Sequence, residues 1–432
     1  MKYRPSRGLV FCLVPLLATG GTAAWAWSKA NDVPLQARAH GDFFELLKRK
    51  KSSLSNYDAA EWAATAKSMR AESVAAKQKL LAEFPALAIE SKPVPEAENG
   101  FLMLHKFSGF PPGAGPKVGT NLTRVLHDRT EWNAEAVKAA LAEHPVEVAR
   151  AEEIAAMPAR SSSGMPDDYI GFIGARTGKF CADVLLLKAR LAAEAKDETE
   201  TLRLVAATRN LVRHYREIEQ PSLLAETVAI LIDLSVTECA FKHLLPDLGP
   251  AADLPRWKEA LVTRGYTPAD FGHVMRGEWN IASEFYLIPM VLQQKPADSD
   301  KLLRTYASNF ESLVKALPGM SWDEFAGGGC ESLQEGFSHL SDKSREIADD
   351  FSIGCKAWTK GYVRAASMLA MHQAALDLMI LEKSGEKLDT TAVEKIIVEP
   401  ISGTRFAFDP GSRILTAPER MKEFDVREVK LP

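Results

Sequence analysis

Two acids, Glu226 and Asp233, stand seven residues apart in the stretch PSLLAETVAILIDLSVTECAFKHLL, residues 221–245. On a helix that is two turns, so both carboxylates share one face. Paired carboxylates on a common face can do general acid–base work if one of them holds a proton. The stretch before them offers Arg209 and Arg213, four apart and also on a single face. Two roles are open to such a set. One is a buried salt-bridge network that sets how two helices register. The other is a polar pocket between helices, with Arg209, Arg213, Glu226 and Asp233 as its binding residues. No nucleophile or metal partner stands beside the acids in the sequence, which favours neutralisation by arginine.

The remaining chemistry-bearing residues point to little. His372 lies on an apolar helical seam, where a histidine bonding one carbonyl in the core is commoner than a catalytic base. Glu335 and His339 have the i,i+4 spacing of a helical metal pair, but a site needs at least three ligands. The sequence holds no HExxH, no GxSxG, no P-loop and no GxGxxG, so no catalytic residue, metal site or cofactor is assigned.

Outside the N-terminal leader the cysteines are Cys181, Cys239, Cys330 and Cys355, and no CxxC occurs. Cys181 and Cys239 fall in apolar helical patterns, where a free buried thiol is expected. Cys330 and Cys355 lie beside glycines and are the pair that a disulfide could join.

The leader itself reads MKYRPSR, then some twenty uncharged residues, then SKANDVP. It is a cleaved signal peptide or a signal anchor spanning residues 8–27. Thr22-Ala23-Ala24 suits cleavage, whereas the length and Trp25 and Trp27 suit an anchor. Either reading puts residues 28–432 outside the cytoplasm, in the cell envelope or the periplasm. The formal net charge is −4, and the first 27 residues carry three bases and no acid, which leaves −7 on the body. A body that acidic has no electrostatic footprint for nucleic acid.

What must position these residues is a mainly α chain. Alanine-rich runs such as 58–84 are helix formers throughout, and strand-like alternation waits for the last 40 residues. Helices are expected at 41–53, 57–84, 99–107, 130–143, 146–157 and 177–195. Leu204, Ala207, Leu211, Tyr215 and Ile218 stripe the next helix. Pro221 should begin the 221–245 helix, which is apolar almost all round and must be covered on most sides. The pattern weakens over 246–300 and returns at 299–317, 331–352 and 356–383. Loops are expected at 108–121 and 161–168, the former a candidate lid. Two alternating runs around Asp409-Pro410-Gly411 give a β-hairpin, with 426–431 adding a strand, and it should dock on the last helix. The expected organisation is a leader (1–27), an N-terminal helical region (28–160), a helical array (161–385) and a hairpin tail (386–432). The fold class is an irregular α-solenoid or helical-hairpin array with a small C-terminal β-hairpin.

Three segments, VPEAENGFLMLHKF (94–107), LAEHPVEVARAEEIAAMPAR (141–160) and the run from Leu185 to Leu245, resemble an uncharacterised family of exported or membrane-anchored bacterial helical proteins. The resemblance spans roughly residues 90–250 and 360–416; it implies an envelope location and a helical fold, and brings no activity with it. The tail around Glu399-Pro400-Ile401-Ser402-Gly403-Thr404-Arg405-Phe406 is similar to the turn near the end of type II secretion major pseudopilins. The methylated N-terminal segment and the acidic calcium cluster of those proteins are missing here, so the likeness implies a shared folding or docking module at most. The expected function is an envelope-anchored scaffold or interaction module that binds another envelope protein. The alternatives are an enzyme of unrecognised class, or a solute-binding protein, with a polar site near Glu226 and Asp233.

Overall fold

Prolines and cap residues set most of the helix starts seen in the computed structural model. It describes residues 67–107, 126, 132–164, 175–262, 265–328, 333, 335–350, 355–389 and 392–432. The leader, the 108–121 loop and Cys330 lie outside these residues, as does the expected helix at 41–53. Asn99, Asn133 and Asp197 accept backbone N–H groups and so begin α2, Gly100–Lys106, α3, Ala134–Ala142, and α6, Glu198–Arg216. Before and between them run α1, Arg70–Glu83, α4, Pro145–Ala156, and α5, Ala175–Glu194.

The apolar stretch is α7, Leu223–Cys239, and it starts two residues later than the proline suggests. Ser222 is the cap, accepting from Ala225 N, and Glu278 reaches in to accept from Leu223 N at 2.9 Å. Pro221 is instead a contact surface. Gly277 packs so closely that an added Cβ would lie 2.0 Å from the Pro221 carbonyl oxygen. Beyond Cys239 the helix runs on through one π turn, Ala240–Leu244, into α8, Leu245–Leu248.

Residues 246–300, where the sequence pattern weakens, are nonetheless mostly helical. They hold α9, Leu254–Leu261, α10, Pro268–Ala282, a second π turn, Ser283–Leu287, and α11, Ile288–Gln294. Each π turn is followed two residues later by a proline, Pro246 and Pro289. Proline lacks an N–H and its ring clashes with the carbonyl four residues back, and a widened π turn just before it is one way for a helix to continue past it.

Then come α12, Ser299–Ala316, α13, Trp322–Ala326, α14, Asp342–Asp350, and the long α15, Cys355–Lys383. The expected helix at 331–352 is present only in its second half. Glu335 and His339 lie in turns, not on one helical face. No group of three metal-capable side chains occurs among the described residues.

The C-terminal strands β1, Ala407–Asp409, β2, Ile414–Thr416, and β3, Glu428–Lys430, form one antiparallel sheet in that order. Its register aligns Phe408, Leu415 and Val429, the three buried residues of the sheet, across one face. Asp409 tightens the hairpin by accepting from Gly411 N and Ser412 Oγ. The sheet docks on α15 through Arg413, whose guanidinium grips Glu382 with two bonds of 2.6 and 2.9 Å. Just before it, the buried Glu399 carboxylate closes its own turn by accepting from Ile401 N and Ser402 N.

One apolar core extends from Leu80 to Leu431. At its centre α5, α6 and α7 pack on one another, and α7 also meets α10 and α15. The protein is mainly α with a small C-terminal sheet. No helix among the described residues is long and apolar enough to cross a membrane.

Candidate functional site

Helix α6 is amphipathic, and its buried face carries Arg209 and, one arginine further on than expected, Arg216. Arg209 forms a salt bridge with Asp233, both almost wholly buried at 5% and 0% exposure. Arg216 Nε lies 3.2 Å from Glu226 Oε1, and Glu226 is 2% exposed. The later acid meets the earlier arginine, so α6 and α7 run antiparallel. Arg213 is not part of the network: it is exposed and binds Glu217, four residues on along its own helix, at 3.0 Å. The reason is geometric. Acids seven apart on α7 need bases seven apart on α6, and Arg216 satisfies that spacing where Arg213 does not.

Further partners extend the network. Arg209 Nη2 donates to the Leu261 carbonyl at 2.7 Å and to Thr237 Oγ1 at 3.2 Å. The Thr237 hydroxyl donates in turn to the Asp233 carbonyl at 2.8 Å. Tyr266 donates its hydroxyl to Asp233 Oδ2 at 2.6 Å, while the Arg216 guanidinium stacks 3.9 Å from the Tyr266 ring centroid. Tyr362 meets Tyr266 edge-on at 5.1 Å and continues into Phe271 and Phe325. Burial pushes Glu226 up to about 7 against the pull of Arg216, and burial with the Asp233 charge raises Tyr266 well above its ordinary value.

Beside this network lies a cavity of about 340 Å³. Thr237 of α7 and Leu261 and Tyr266 around the end of α9 line it, and the same three residues bond to the ion pair. Trp322 of α13, Ala370 and His372 of α15, and Ile397 and Pro400 also line it. Sequence spacing has no means of showing this space. It is built from five stretches between residues 237 and 400 that meet only in the fold.

His372 itself is 6% exposed. Its Nδ1 lies 2.7 Å from the Met368 carbonyl oxygen, and its ring meets Phe241 edge-on at 4.9 Å. Burial pushes it down to about 4, so the ring is neutral near pH 7. It is thus a histidine bonding one core carbonyl, but one that also lines a cavity.

Cys181 and Cys239 are free and buried, and burial pushes Cys239 up to about 12, which removes both from nucleophilic chemistry. A second, wide groove lies over α4 along Val146 and Arg150. It has no converging buried polar groups. No protein-family model, no curated protein and no solved structure matches this chain.

Proposed function

We propose that this protein is a binding protein rather than a catalyst, and that it holds a small molecule in the cavity between α7 and α15. The observation that carries the reading is the placement of that cavity against the Arg209–Asp233–Tyr266 network. The two acids that could have formed a catalytic pair are each taken up by an arginine. A fixed polar wall behind a mostly apolar, concave space is the ordinary form of a small-molecule site. Location in the cell envelope belongs to the same proposal and rests on the basic, apolar leader alone. Mass spectrometry of the mature N-terminus distinguishes an anchor from a cleaved signal, since a start near residue 25–28 means cleavage.

The binding reading is tested by thermal-shift screening of wild type and Ala370→Phe against a library of small neutral compounds. Phenylalanine at 370 fills the cavity from the α15 wall. Compounds that raise Tm for the wild type but not for Ala370→Phe support the site. A library that shifts neither protein, or both alike, sinks it.

A further inference from the structure

Three of the hydroxyls lining the cavity are already committed. Tyr266 donates to Asp233 at 2.6 Å. Thr237 donates to the Asp233 carbonyl and accepts from Arg209. Thr267 donates to Asp270 Oδ2 at 2.6 Å and accepts from Asp270 N at 3.1 Å, as the cap of α10. None of these can turn toward a guest without breaking a bond in the scaffold.

His372 is different. A carbonyl oxygen only accepts, so the 2.7 Å contact to Met368 places the proton on Nδ1. In a neutral imidazole that leaves Nε2 as a bare acceptor, on the ring edge away from its own helix. Among the described residues no donor reaches that nitrogen. The half-buried Gln373 amide, next to it on α15, is the other polar group at the wall. No described lining residue carries a charge, and Trp322, Leu369, Leu376 and Ile397 make the rest of the surface apolar.

We infer that the cavity takes a neutral, mainly apolar molecule of one or two rings, bearing a hydroxyl or N–H donor that bonds to His372 Nε2. The size follows from the volume of about 340 Å³, at the small end of ligand sites. The donor follows from the open acceptor, because a guest that displaces water from Nε2 loses affinity unless it replaces that hydrogen bond. The neutrality follows from the uncharged lining, since a desolvated ion would find no counter-charge among the described residues there. The inference rests on the binding reading above and adds the chemistry of what is bound.

The test uses 2-naphthol and its methyl isostere, 2-methylnaphthalene, with naphthalene-2-sulfonate as the charged member. Each is titrated by fluorescence into the full protein at pH 7. For the wild type, 2-naphthol is expected to bind about 2- to 10-fold more tightly than 2-methylnaphthalene, the range of one net hydrogen bond. The sulfonate is expected not to bind. In His372→Leu the order reverses, because only the apolar difference between the two probes remains. Ala370→Phe removes binding of both.

A wild-type readout covers the case in which His372→Leu does not fold. The histidine Nε2 resonance in a ¹⁵N-labelled sample should move with 2-naphthol and stay in place with 2-methylnaphthalene. The preference should also hold from pH 8 to 5.5. The charged groups acting on the ring are Glu238 and Lys242 on the α7 side and Arg209 from α6, and the ring stays neutral over that range.

Equal affinities for the two aromatic probes, or a preference that survives His372→Leu, overturns the inference and leaves the cavity reading standing. Failure of both probes to bind the wild type overturns the inference as well. The cavity reading then stands or falls on the thermal-shift library alone.

Discussion

At the scale of single residues, the buried pairs are where the energetics concentrate. Asp233→Ala leaves Arg209 charged in the core with only the Leu261 carbonyl and the Thr237 hydroxyl as partners. The expected cost is about 3–5 kcal/mol by urea unfolding, whereas the double change Arg209→Leu with Asp233→Leu is expected to cost less, because no buried charge remains. A double variant as unstable as Asp233→Ala would mean that shape, not charge pairing, sets the loss. Glu226 behaves differently because burial lifts it to about 7. Between its ordinary value near 4.5 and about 7 the folded state holds more protons than the unfolded one. The resulting stability is therefore full below pH 4.5 and is lost as pH rises through about 7. Glu226→Gln is neutral at every pH, so the wild type's advantage over it should shrink by roughly 3 kcal/mol between pH 5 and pH 8. A gap that stays constant over that range refutes the account. Of these residues, Arg209, Glu226 and Asp233 were legible from the sequence. Arg216 is not legible in the same way, because its seven-residue match to the acids matters only once α6 and α7 are known to face each other antiparallel.

At the scale of elements, apolar spacing makes α5, α6, α7 and α15 readable, even though their buried faces also carry polar residues such as Arg209, Asp233 and His372. The 246–300 region was not readable for a specific reason: Pro246 and Pro289 look like helix ends. The two π turns that precede these prolines let the chain stay helical across them. Close helix approach leaves an equally hidden requirement at Gly277. An alanine there would place Cβ 2.0 Å from the Pro221 carbonyl oxygen, against backbone that cannot swing away. Gly277→Ala is expected to destabilise by about 1–3 kcal/mol in spite of its better helix propensity. Gly361→Ala is the counterpart in α15, at an exposed position where nothing lies within 4 Å of the new Cβ. It is expected to stabilise by about 0.5–1 kcal/mol. Thermal unfolding of the two variants should thus move Tm in opposite directions, and a shift of the same sign in both would contradict the packing described for α10.

At the scale of the whole molecule, acid is the expected route to unfolding. His214, whose Nε2 bonds the Ile154 carbonyl at 3.0 Å, and His372 are both pushed down by burial to about 4. Each therefore contributes stability that is present above the ordinary histidine value of 6.5 and is lost as pH falls toward about 4. Glu226 and Glu278, both raised by burial, work in the opposite sense over part of that range, but the two histidines act together with carboxylates held below their ordinary range by hydrogen bonds, Glu382 with Arg413 and Asp298 with Ser341 and Ser344 among them. Urea midpoints should fall between pH 7 and pH 4.5, and fall less in His372→Leu; a midpoint that is flat or rises on acidification would rule this out. The sequence by itself determined that the chain is mainly α, that its last forty residues hold a small β-hairpin turned at Asp409-Pro410-Gly411, and that two acids on α7 need arginines or a ligand to answer them. These follow from periodicity, turn chemistry and the cost of burying charge, all of which act within one element or between neighbours. The tertiary structure alone decided which arginine answers Glu226, that helices run through Pro246 and Pro289, and that a cavity with an open histidine nitrogen stands beside the ion pair. Each of those depends on how surfaces far apart in the chain meet, and no local spacing records it.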